Sequence, residues 1–136
     1  MTTRILTVLL AALVLLSCRK AEEKAEEAAL DAAINGEWLV KSYLKGDSNL
    51  TSGFAPYTFK FQLNNTVDAY RNGALEKTGS WDSDISTRTI TSSFPVSEAP
   101  LSLLNGTWTV TKNSWEYVEA EQSVNGTEFR LRLEKK

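Results

Sequence analysis

From Trp38 onward, apolar and polar side chains alternate with a period of two, the spacing of half-buried strands. Trp38, Val40, Ser42 and Leu44 alternate with Lys41 and Lys45, and Tyr57, Phe59, Phe61 and Leu63 with Thr58, Lys60 and Gln62. Read this way, Ser42 shares the side of Trp38. Further strands are predicted at 66–71, 75–81, 84–92, 107–112, 115–121 and 127–134, joined by the turn signals Asn64-Asn65, Asn72-Gly73, Asn113-Ser114 and Asn125-Gly126. Such tight turns pair neighbouring strands antiparallel. In the segment 115–121, Glu119 shares the side of Trp115 and Tyr117. In the last strand Phe129, Leu131 and Leu133 face one way, and Arg130 and Arg132 the other. The loops 46–55 and 94–100 interrupt the pattern, and 101–104 reads as a short helical turn. Asn35-Gly36-Glu37-Trp38 recurs as Asn105-Gly106-Thr107-Trp108, with Gly79-Ser80-Trp81 a weaker copy.

About eight short antiparallel strands in roughly 100 residues predict an all-β domain, an eight-stranded up-and-down barrel over 36–136. A two-sheet sandwich is the alternative, although it usually carries longer crossing connections than these hairpins. Before Trp38 the pattern changes. Residues 21–34 are strong helix formers whose apolar side is mostly alanine, so a marginal helix is expected, ended by Asn35-Gly36 and serving as a tether within 18–35. A partner-binding helix is the other reading. Residues 1–17 hold one early positive charge, Arg4, and then the apolar run from Ile5 to Leu16, which is too short to span a bilayer. Charge, apolar run and small residue in that order predict a cleaved secretory leader.

Composition narrows the chemistry. All 13 aromatic residues lie between Trp38 and Phe129, so the core must form there. With 15 basic and 17 acidic residues there is no basic field for nucleic acid. Histidine is absent and Cys18 is the only cysteine. Zinc sites of thiolate and imidazole, and His- or Cys-based catalysis, are therefore excluded from the folded part. No catalytic residues, metal ligands or cofactor are assigned, and an enzyme is not expected.

Leu15-Leu16-Ser17-Cys18 resembles the lipobox of bacterial lipoproteins. The resemblance implies cleavage before Cys18 and diacylglycerol on its sulfur, an attachment to the membrane that two acyl chains make essentially permanent. Arg19 stands where an aspartate would signal inner-membrane retention, which implies the outer membrane. Lys20-Ala21-Glu22-Glu23 resembles the charged export tags of surface lipoproteins of Bacteroidota. The region from Asn35 to Glu134 resembles the lipocalin-like domains of small bacterial lipoproteins, through Gly36-Glu37-Trp38, the later Gly-x-Trp copies and the strand count. That resemblance implies a binding barrel in which an arginine late in the chain, Arg130 or Arg132, packs over the first-strand tryptophan.

The candidate ligand-binding set is Trp38, Tyr57, Phe59, Phe61, Trp81, Trp108, Trp115, Tyr117 and Phe129. These aromatics either line a pocket for a small apolar ligand or fill a core, and the short chain leaves little interior for a void. The pocket expected is small and partly open at one barrel mouth, with Trp38 and Trp108 toward the closed side. If the barrel is solid, the loops 46–55 and 94–100 are the surfaces that would contact a protein partner. Glu119 among aromatics would be a candidate ligand for an amine, or simply a solvated carboxylate at a mouth. The Asn-x-Thr triplets at Asn49, Asn64, Asn105 and Asn125 read as turn chemistry.

Overall fold

The computed structural model describes residues 24, 27, 28 and 30–136; the leader, Cys18 and most of the tether lie outside the described residues. Nine strands follow in chain order: β1 (Trp38–Lys45), β2 (Ser48–Asn49), β3 (Tyr57–Phe61), β4 (Thr66–Arg71), β5 (Ala74–Asp84), β6 (Thr89–Ser93), β7 (Gly106–Asn113), β8 (Tyr117–Val124) and β9 (Thr127–Lys135). The two-residue β2 folds back on the end of β1. The other eight follow one another round a single antiparallel sheet, and β9 pairs with β1 to close it. The fold is thus the expected eight-stranded up-and-down barrel and not a sandwich. Asn65, Asn72 and Asn125 turn the hairpins at φ of 63°, 51° and 51°, the left-handed region that asparagine tolerates.

Alternation fails where an extra residue enters a strand. β1 is bulged between Val40 and Ser42, and a bulge moves every later side chain to the opposite face. Tyr43 therefore points inward with Trp38 and Val40, all three buried. Ser42 is displaced to the outer face, opposite Arg132. At the β7–β8 turn the Ser114 hydroxyl accepts hydrogen bonds from the backbone N–H groups of Glu116 and Tyr117. This widens the expected two-residue turn, and β8 begins at Tyr117. β7 is also bulged, between Val110 and Lys112, which sets Ala120 opposite Val110, so Val118 and Ala120 face the core, while Glu119 pairs with Arg132 on the outer wall. Leu63, expected to continue the inward row of β3, lies beyond the strand and is 67% exposed.

Two short helical segments cover opposite ends of the barrel, and the Asn-Gly-x-Trp repeat builds both. Residues 30–34 are helical, and the Trp38 indole N–H donates to the Ala33 carbonyl at 2.9 Å. The 3-10 turn Leu101–Leu104 is held in the same way by Trp108, whose indole donates to the Leu104 carbonyl at 3.0 Å. Gly36 and Gly106 reverse the chain between helix and strand at φ of 90° and 118°, angles at which a side chain is strained. Gly79, in the third copy, serves close approach instead: a Cβ there would stand 2.6 Å from the Ser93 carbonyl oxygen.

The end covered by Leu101–Leu104 is solid. Leu101, Leu104, Phe54, Phe59, Phe94 and Trp108 are all buried there. Tyr43 is wholly buried among them, with ring centroids 5.3 Å from Phe54 and 6.0 Å from Trp108. Its hydroxyl donates to the Leu103 carbonyl at 2.6 Å, and burial pushes its pKa up to about 12. The loops 46–55 and 94–100 reach this end, and both turn their phenylalanines, Phe54 and Phe94, inward. Asn105 clamps the second loop, accepting from the Phe94 N–H and donating to its carbonyl.

Candidate functional site

At the opposite end the strands enclose an apolar cavity of about 340 Å³. Trp38 from β1, Phe61 from β3 and Trp81 from β5 form one side. Phe61 lies edge-on to both indoles, at centroid distances of 6.5 Å to Trp38 and 5.1 Å to Trp81. Ile90, Val110, Val118 and Leu133 supply the other side from β6 to β9. The helical segment also lines the cavity, but only through Ala32 and Ala33. Leu30, Ala33 and Ile34 pack against the core, so residues 30–34 rest on the barrel rather than standing clear of it as a tether.

Polar groups gather at the rim. Asp84 ends β5, and its Oδ1 accepts from the Ser86 N–H at 2.9 Å, the Ser86 hydroxyl at 2.6 Å and the Thr87 N–H at 3.3 Å. These bonds hold its carboxyl below the usual carboxylate range, the Ser86 hydroxyl contributing most. They also convert 85–88, expected within a strand, into a turn that carries Ile85 and Arg88 to the mouth. Arg88 closes that turn at φ of 56°, and its carbonyl accepts from the Val110 N–H.

The nine aromatics named from the sequence are thus split. Trp38, Phe61 and Trp81 line the cavity. Trp38 was expected toward the closed side with Trp108; it is a wall of the open end, because β1 enters the barrel there. Phe59 and Trp108 are buried in the solid end, where Phe129 packs at 6.3 Å from Tyr43. Tyr57 also belongs to that end: it stacks on Phe59, and its hydroxyl donates to Glu76. Burial and then this bond raise the Tyr57 pKa.

Trp115 and Tyr117 were expected to face the interior and do not. Trp115 sits in the β7–β8 turn, 58% exposed. Tyr117 lies on the outer wall under the guanidinium of Arg132, which stands 4.3 Å from its ring centroid. Arg132 pairs with Glu119 and Glu134, so it is not the cation over the first-strand tryptophan, and neither is Arg130, which pairs with Glu128. That place is taken by Lys135, the register partner of Trp38, with its ammonium 5.5 Å from the ring centroid. The alternation missed Ile90, Val110, Val118 and Arg88 as lining residues; the Asp84-x-Ser86-Thr87 sequence, a side-chain turn signal, was the available clue to Arg88.

The closed end carries a second recess on its surface. It measures about 650 Å³ and is bordered by Tyr57, Arg71, Glu76, Lys77 and the 95–101 loop. Its lining is largely polar, and two of its four charged side chains, Arg71 and Glu76, pair with each other at 3.6 Å.

Fold and site together define a small closed barrel with one end plugged by side chains and the other hollow. No protein-family model matches the chain, and no curated protein matches it either. Among solved structures it is similar to a DUF4847 family protein from Bacteroides vulgatus, with a TM-score of 0.54 and 11% sequence identity over 78% of this chain and 96% of that one. It also matches an uncharacterized protein from Bacteroides eggerthii, with a TM-score of 0.47 and 14% identity over 71% and 96%. At such identities the first likeness is one of barrel fold alone.

Proposed function

We propose that the chain is an envelope-tethered, lipocalin-like binding module whose barrel takes a small apolar ligand through its hollow end. One observation carries this reading: a cavity of about 340 Å³ walled by Trp38, Phe61, Trp81 and four aliphatic side chains. Pockets that hold small ligands begin at roughly 300 Å³ and combine apolar walls with a few polar groups at one side. The reading is of binding, and Asp84, the carboxylate at the mouth, uses its Oδ1 to hold its own turn. The loop-mediated alternative is less well supported, because Phe54 and Phe94 of those loops are turned into the core.

The tether rests on the Leu-Leu-Ser-Cys box, which assigns Cys18 as the lipidated mature N-terminus, and on Arg19, which favours the outer membrane. Cys18→Ala is expected to leave uncleaved or mislocalised protein; maturation and membrane fractionation like wild type would remove the anchor. The binding reading is tested by titrating tryptophan fluorescence with fatty acids, retinoids and small aromatics. Saturable quenching or a spectral shift by one class is expected, because two of the four indoles line the cavity. A flat response to all three classes would defeat it.

A further inference from the structure

Among the described residues the arginines are Arg71, Arg88, Arg130 and Arg132. Arg71 pairs with Glu76, Arg130 with Glu128, and Arg132 with both Glu119 and Glu134. Arg88 has no such partner: no described carboxylate comes within 4.0 Å of it, although it lines the mouth of the apolar cavity. Its position is built and not incidental. The Asp84 turn and the positive φ of Arg88 itself fix the backbone, and the bond from the Val110 N–H to its carbonyl ties that backbone to β7.

We infer that the ligand is an amphiphile with a carboxylate head, its apolar body seated between Trp38, Phe61 and Trp81 and its head paired with Arg88. This rests on the binding reading above and adds the chemical class. A guanidinium beside an apolar cavity matches a carboxylate in charge and in its forked donor geometry. The neighbouring Asp84 opposes an anion with one negative charge, and the three loop donors to its Oδ1 fix that carboxylate in its own turn without cancelling the charge. Lys135, above Trp38, adds a second positive charge at this end of the barrel.

The test pairs decanoate with decanol, which share a tail and differ in the head, against wild type, Arg88→Gln and Arg88→Lys. Binding is read by tryptophan fluorescence. Wild type should favour decanoate over decanol by about tenfold, the scale of one charge-assisted hydrogen bond at a solvated rim. That preference should vanish in Arg88→Gln, decanoate losing about tenfold more affinity than decanol, and should partly return in Arg88→Lys. High salt should weaken decanoate alone. Equal binding of both compounds, or a preference that survives Arg88→Gln, overturns the carboxylate assignment and leaves the apolar pocket standing. Failure of both compounds to bind wild type overturns the pocket reading and this inference together.

Discussion

The two ends of this barrel are made by the same sequence device and come out differently. Each has a short helical segment, an Asn-Gly reversal and a tryptophan whose indole holds a carbonyl of that segment, Trp38 on Ala33 and Trp108 on Leu104. The closed end inserts Leu101 and Leu104 into the barrel, together with Tyr43, Phe54 and Phe94. The hollow end presents Ala32 and Ala33. The difference in side-chain volume is what leaves the cavity, since interiors elsewhere pack to near-crystalline density. A closure built of alanine covers a pocket without filling it.

Truncating an aromatic at each end should expose this contrast most sharply. Phe59→Ala, in the solid end, should cost about 3–5 kcal/mol in denaturant unfolding, the usual cost of emptying a packed aromatic site. Phe61→Ala, at the cavity, should cost about 1–2 kcal/mol, because its ring already lacks neighbours on one side, and should change ligand affinity more than stability. Equal costs at the two positions would mean that the cavity wall is packed like the core.

Alkaline pH separates the ends as well. The folded chain keeps the Tyr43 proton up to about pH 12, while the unfolded chain releases it near the ordinary tyrosine pKa of about 10. The stability it contributes is whole below about pH 10 and is lost as pH rises toward 12, on the order of 3 kcal/mol. Tyr57 is shifted in the same direction. Denaturant midpoints at pH 8 and pH 11.5 that coincide would contradict the burial of Tyr43. Tyr43→Phe should be less stable at pH 8 and should lose most of the alkaline slope.

The smallest effect on stability is expected from filling the hollow end. Ala33→Leu should change unfolding by less than about 1 kcal/mol in either direction, since the added side chain has space beside it. It should nevertheless weaken ligand binding severalfold. Unaltered binding in a folded Ala33→Leu variant would show that the helical segment does not line the path of the ligand.

Much of this fold can be read from the chain. The alternation of β9 places Phe129, Leu131 and Leu133 inside, and the Asn turns set the antiparallel order. The repeat at Trp38 and Trp108 marks the two closures, although alternation does not reveal that they lie at opposite ends. What is hidden are events worth a single residue. A bulge after Val40 brings Tyr43 inward, and a bulge between Val110 and Lys112 leaves Tyr117 on the outer face. Residues 115–121 offer aromatics on one face and Val118 and Ala120 on the other, so hydrophobic size favours the wrong face. The site suffers most from this, because its walls come from seven strands and each parity error exchanges a lining residue for a surface one.

The central claim is that a ligand enters one end of the barrel and not the other, and the four indole N–H groups report it directly in a proton–nitrogen correlation spectrum. Trp38 and Trp81 line the cavity, Trp108 belongs to the plug, and Trp115 lies on an exposed turn. Titration with decanoate should move the Trp38 and Trp81 signals saturably and leave Trp108 in place. Movement of Trp108 with the pocket pair unchanged, or no movement of any indole at saturating ligand, would contradict the account.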